Sequence, residues 1–235
     1  MRCAAGLALA AALVTGGCVH VTSPEDTADV AKRFVGDYDG SSFETFAGMR
    51  ITDDRRWEWA LSVGALDLRS SGTWRVDDTS IHFTTDPEPV PAEIRMLGLV
   101  PGKGDRLVDL VHTNGEPFAY ADAWIECADG SIDFQAVSDE TLLDPDDPPP
   151  ERCTEPVAVT VRQSNYKVDS PRYVLADIGW TPSQMLKFEF VPNDLGVMSL
   201  TGMRGYLTKG DRILTVEGPL GTEEMRRVTA APAAE

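Results

Sequence analysis

Three histidines, a pair of cysteines and a surplus of carboxylates are the residues of this chain that could do chemistry. His20 lies near the amino terminus, His82 sits between Ile81 and Phe83, and His112 precedes Asn114-Gly115. No two of them stand at metal-ligand spacing, and there is no HExxH, no G-x-S-x-G, no Walker loop and no dinucleotide fingerprint. His112 with Asp109 or Asp122 is the first proton-transfer pair to test. Asp109, three residues away on an extended segment, falls on the opposite face of it. With 38 acidic residues, a carboxylate pair for glycoside hydrolysis cannot be singled out. The residues assign no catalytic group, no metal and no cofactor, so a hydrolase ranks behind the readings below.

The most acidic stretch, SDETLLDPDDPPPERCTEP at 138–156, offers Asp144, Asp146, Asp147 and Glu151 as oxygen ligands for a hard cation. It lacks the D-x-D-x-D-G pattern and carries three consecutive prolines, so a solvated loop is expected there. Cys3 falls in the leader and Cys18 is the first residue after it. That leaves Cys127 and Cys153 as an even pair, read as a disulfide that closes this loop and stabilises the fold by roughly 3 kcal/mol.

The elements that must position these groups are strands. Between Arg56 and Thr84, Trp57, Trp59, Leu61 and Val63 alternate with Glu58, Ala60 and Ser62. Period-two alternation of this kind puts the indoles on a buried face. Gly72-Thr73-Trp74-Arg75-Val76 and Ile81 to Phe83 continue an antiparallel meander around an Asp77-Asp78 turn. The reading is all-β: a meander or half-barrel, a β-sandwich-like region, and one short helix. Ser23-Pro24-Glu25-Asp26 starts that helix, which is expected to end near Phe34 or Val35, before a turn at 36–42. The expected organisation is a leader at 1–17, tether and helix at 18–41, meander at 42–85 and a Pro/Gly-rich linker or crossover at 86–105 with one short strand near Ile94 to Leu97. A sandwich-like region at 106–180 with a hairpin at Asn114-Gly115, C-terminal strands at 181–228, among them Val197 to Leu200, and a disordered tail at 229–235 follow. Arg204 to Val216 echoes Ser71 to Phe83. Three explanations stand: an internal repeat, a return that completes the first meander, or chance similarity of short hairpins.

Met1-Arg2, the apolar run Ala4 to Val14, and Thr15-Gly16-Gly17-Cys18 make an export signal too short to span a bilayer. The segment 14–18 resembles the lipobox of bacterial lipoproteins, with Thr15 where that family usually carries a large aliphatic residue. The resemblance implies cleavage after Gly17, lipidation of Cys18 and a membrane attachment through that lipid. Cleavage by the ordinary signal peptidase is the alternative. Val19 in place of Asp implies the outer membrane, on its periplasmic face. The turn, aromatic strand, Gly-x-Trp, turn and strand of 48–84 resemble lipocalin-like meanders, which implies a small apolar ligand held near Trp57, Trp59 and Trp74. Residues 106–137 resemble a transthyretin-like or carboxypeptidase-regulatory-like β-sandwich through Asn114, Gly115, Pro117, Ala121, Ala123 and Ile125, with Tyr120 in place of Gly. That likeness implies a non-catalytic module for spacing or adhesion. A net charge of −17 repels phosphate backbones and argues against nucleic acid as a partner. Two functions follow: a structural or interaction lipoprotein with an envelope protein partner, or a binding module for a small apolar ligand.

Overall fold

The computed structural model describes residues 24–77, 79–103, 106–137, 153–218 and 221–229. The lipobox-like segment with Cys18, the expected helix cap Ser23 and the carboxylates of 138–152 lie outside them. The architecture is all-β with one helix. Helix α1, Pro24–Phe34, ends on Lys32 and Arg33, where cations suit the carbonyl end of the helix dipole. It buries Ala31 and Phe34.

An eight-stranded antiparallel barrel takes strands from both ends of the chain. From the first half come β1 (Gly36–Asp39), β2 (Thr45–Ile51), β3 (Arg56–Val63), β4 (Leu66–Val76) and β5 (Ser80–Thr85). The last third supplies β14 (Arg204–Thr208), β15 (Ile213–Gly218) and β16 (Gly221–Arg227). β14 pairs with β5, and β16 closes the ring on β1 through Tyr38 and Arg227. Of the three explanations for the echo at 204–216, the return of the last strands to the first meander is the one the topology realises. Because side chains alternate, the register sends Met49, Ile51, Trp57, Trp59, Trp74, Ile81, Phe83, Leu214, Val216 and Met225 to one shared core. The outer face carries charge, with Arg50 paired to Asp37 at 2.7 Å and Arg56 to Asp86 at 3.3 Å. This is the reverse of the outward apolar band of a membrane-spanning barrel.

Between β5 and β14 the chain builds two further sheets. One orders β11 (Val168–Asp169), β10 (Pro156–Gln163), β8 (Asp122–Cys127) and β9 (Ile132–Ala136), with β12 (Tyr173–Val174) also on β10. The other orders β6 (Glu93–Pro101), β13 (Gln184–Val191) and β7 (Val108–His112), with β7 parallel to β13. Inward residues of both sheets, among them Ile125, Val159, Val161, Leu110, Leu186 and Phe188, share a second core, as in a sandwich. Cys127 and Cys153 stand at disulfide bonding distance, their Cα atoms 5.8 Å apart.

Four local expectations are corrected. The turn expected at 36–42 contains β1, because Tyr38 is buried and both edges of the strand find partners. The short strand expected near Ile94 to Leu97 within 86–105 is the longer, nine-residue β6, whose apolar side chains meet β13 across a bulge at Lys187/Phe188. Asn114-Gly115 does form a tight turn, with Gly115 at φ 87° and His112 N–H donating to Glu116 O at 2.7 Å. However, the returning arm makes only an isolated bridge at Pro117, and β7 and β8 lie in different sheets. The strand expected at Val197 to Leu200 is instead an irregular return segment that touches the barrel wall at Arg69.

Candidate functional site in the barrel lumen

One end of the barrel is filled. Phe34 and Ala31 pack into the core, and Arg227 ties the helix to the wall. Its guanidinium donates to Val35 O at 2.6 Å, to Asp211 O at 3.0 Å, to the Tyr38 hydroxyl at 2.7 Å and to Arg33 O. The bonds to Arg33 O and Val35 O satisfy carbonyls that a helix end leaves without partners. Burial pushes the Tyr38 phenol up to about 12, with the Arg227 charge offsetting part of the rise. The phenol donates to Phe34 O at 2.7 Å, which fixes the last helical turn.

The other end of the barrel is hollow. Four residues before Arg227 on β16, about 13 Å along an extended strand, Glu223 faces a cavity of about 270 Å³. The barrel contributes Met49, Trp59, Leu61, Val216 and Met225 to its lining. The return segment from the sandwich supplies Met198, Leu200 and Met203. The latter placement has a clear cause. β4 outruns β5, and segment 196–203 takes over along its open edge. Arg69 N–H donates to Gly196 O at 2.8 Å, Met198 N–H to Arg69 O at 2.9 Å, and Leu200 N–H to Thr85 Oγ1 at 2.7 Å. Ser70 Oγ, buried, donates to Met198 O at 2.5 Å. The barrel wall is therefore completed by the chain as it leaves the inserted sandwich. Met203 in turn lies against Gly218, where a Cβ would collide with its thioether.

The three tryptophans expected to meet a ligand separate into two kinds. The Trp57 indole N–H donates to Thr73 O at 2.9 Å, and its ring packs edge-on against Phe83. The Trp74 indole N–H donates to Thr52 O and Arg56 O, both at 3.1 Å, under the guanidinium of Arg55. Both are structural. Trp59 alone of the three lines the cavity, and its indole stands beside the Glu223 carboxyl. Burial pushes that carboxyl above the ordinary glutamate range, and the indole offsets part of the rise.

The remaining candidates gather elsewhere. His82 Nε2 meets Asp77 Oδ2 at 2.5 Å and Ser80 Oγ at 3.3 Å. Ser80 Oγ also donates to Asp77 Oδ1 at 2.6 Å. Hydrogen bonds from Ser80 and His82 hold the Asp77 carboxyl well below the usual carboxylate range. A serine relay needs the carboxylate on the ring nitrogen that the serine does not use; here one nitrogen serves both. The cluster instead fixes the turn between β4 and β5, with Asp77 also accepting from Ser80 N–H at 3.0 Å. His112 stacks edge-on with Phe118, its ring centroid 4.9 Å away. No hydrogen bond joins it to Asp109 or Asp122 among the described residues, and Asp109 faces Arg106 at 3.9 Å. No cluster of metal-ligating side chains occurs among the described residues, and no helix among them is long and apolar enough to cross a membrane.

A larger concavity, about 850 Å³, runs outside the barrel between Phe46, Gly48 and Ala60 and the connectors at Pro87, Pro89 and Asp194. Charges of both signs line it, Arg50 already held by Asp37. The lumen is smaller but fits ligand recognition better, because Glu223 is the one ionisable side chain among its described lining residues.

Glu223 and the four lumen methionines escaped sequence reading. TEEMRR carries one apolar residue and shows no apolar alternation. Only its register, with Glu223 opposite Val216 and Met225 opposite Leu214, reveals that its odd-numbered residues face inward. Comparison with protein-family models, curated proteins and solved structures yields no match for this chain.

Proposed function

We propose that this protein is a lipid-anchored envelope protein whose barrel lumen binds a small apolar ligand. The single observation that supports the reading is the hollow end of the barrel. A cavity of about 270 Å³ is lined by Trp59, Leu61, Leu200, Val216 and four methionines. That volume lies just below the range of about 300–1,000 Å³ usual for ligand sites, and suits a small ligand. Methionine side chains are flexible and polarisable, and suit ligands of varied shape. Titration with neutral apolar dyes and short lipids, followed by tryptophan emission, tests it. A saturable change is expected in the wild type and in Trp180→Phe, and most of it is lost in Trp59→Phe. No saturable change in any of the three contradicts the proposal. The anchor is tested separately: Cys18→Ala is expected to move the protein from envelope membranes to the soluble fraction, and retention with the membranes would count against lipidation.

A second reading, an interaction module for an envelope partner, is favoured by the outer face of the five-stranded sheet. Ile132 and Phe134 are 50% and 52% exposed there, beside Trp124. Arg162 stacks 3.8 Å above the Trp124 ring. Exposed aromatics with arginine are the composition of protein-binding surfaces.

A further inference from the structure

We infer that the ligand of the lumen carries a protonated amine on its apolar body, with Glu223 as the counter-charge and Trp59 as an aromatic wall for the ammonium. This rests on the proposal that the lumen binds a ligand, and it specifies the chemistry of that ligand.

Three observations carry it. First, among the described residues Glu223 is the only ionisable one lining the cavity. β2 presents Met49, β3 Trp59 and Leu61, β15 Val216 and Gly218, and the return segment Met198, Leu200 and Met203. None of these elements brings a cation to Glu223. The nearby charges on β16 face the other way, Glu224 towards Lys209 at 3.9 Å and Arg226 opposite Asp39. Secondly, a half-buried carboxylate that faces a mainly apolar lumen is costly unless it is paired, and the fold does not need one there. Position 223 is one of a row with Met225, which packs in the same core. An apolar side chain would serve the barrel better. The acid is explained by a partner that arrives from outside. Thirdly, the neighbours suit a cation. The Trp59 ring is the strongest cation–π surface among side chains, and thioethers are soft and polarisable. A net charge of −17 also raises the local concentration of cations at the surface.

Hexylamine and 1-hexanol, which differ only in their head group, are the probes. Calorimetric titration near neutral pH is expected to show the amine binding at least about tenfold more tightly than the alcohol. Glu223→Gln, nearly isosteric, is expected to abolish that preference while leaving hexanol affinity within about twofold, which also shows that the variant is folded. In the wild type, acidification protonates Glu223 while the amine keeps its charge. Amine affinity then falls towards that of the alcohol, and hexanol affinity stays flat. Equal affinities in the wild type, or a preference that survives Glu223→Gln, overturn the amine inference and leave ligand binding standing. Binding of neither probe overturns both.

Discussion

Glu223 shares its barrel with residues that are fully committed to structure, and the contrast shows in where each polar atom is bonded. The indole N–H groups of Trp57 and Trp74 donate to backbone carbonyls, and the Arg227 guanidinium ends on four acceptors around α1. Glu223 instead faces the cavity, with its carboxyl raised by burial. The sign of its pH dependence follows. The unfolded chain releases this proton near the ordinary glutamate value of 4.5, while the folded protein still holds it. Stability is therefore lost as pH rises from that value through the raised folded pKa. Glu223→Gln removes the charge, so its melting temperature should exceed that of the wild type at neutral pH and converge with it in acid. A variant less stable than the wild type at neutral pH would mean that the charge supports the fold. Tyr38 acts in the alkaline range: its neutral phenol contributes stability that is lost as pH rises from 10.0 through about 12.

At the scale of elements, legibility in the sequence depended on whether pairing was local and the two faces of a strand differed. β3 satisfied both conditions. Trp57 and Trp59 alternate with Glu58 and Ala60, and the partners β2 and β4 follow directly in sequence. The meander and the all-β class were readable for that reason. Only the middle of β6, Ile94 to Leu97, was readable among prolines and glycines, because its main partner, β13, comes some 90 residues later, with a bulge that breaks the alternation. β1 hid because four residues, GDYD, carry one buried side chain, and its partner β16 lies at the far end of the chain. The Asn114-Gly115 turn was correctly located, but turn chemistry fixes only four residues; it did not fix which sheet the returning arm would join. In the candidate site, Trp59 was legible through its alternation. Met198, Leu200 and Met203 were not, since an irregular segment has no period and reaches the lumen only because β4 is longer than β5.

As a whole, the molecule is one chain folded around two cores, the sandwich inserted between β5 and β14 of the barrel. The two connecting segments are tied together: Asp194 N–H donates to Val90 O at 3.1 Å, Val90 N–H to Asp194 Oδ2 at 2.8 Å, and Asn193 Nδ2 to Pro91 O at 2.8 Å. The insertion thereby returns the chain in the position where residues 196–203 complete the barrel wall and line the lumen. This arrangement places four of the seven methionines, Met49, Met198, Met203 and Met225, around the cavity. Met185 and Met96 belong to the sandwich. The methyl resonances of isotope-labelled methionine therefore report the binding site directly. On titration with hexanol or hexylamine, the four lumen methyls are expected to shift in a saturable way while those of Met96 and Met185 stay in place. Saturable shifts at Met96 or Met185, with the lumen methyls unmoved, would contradict the account.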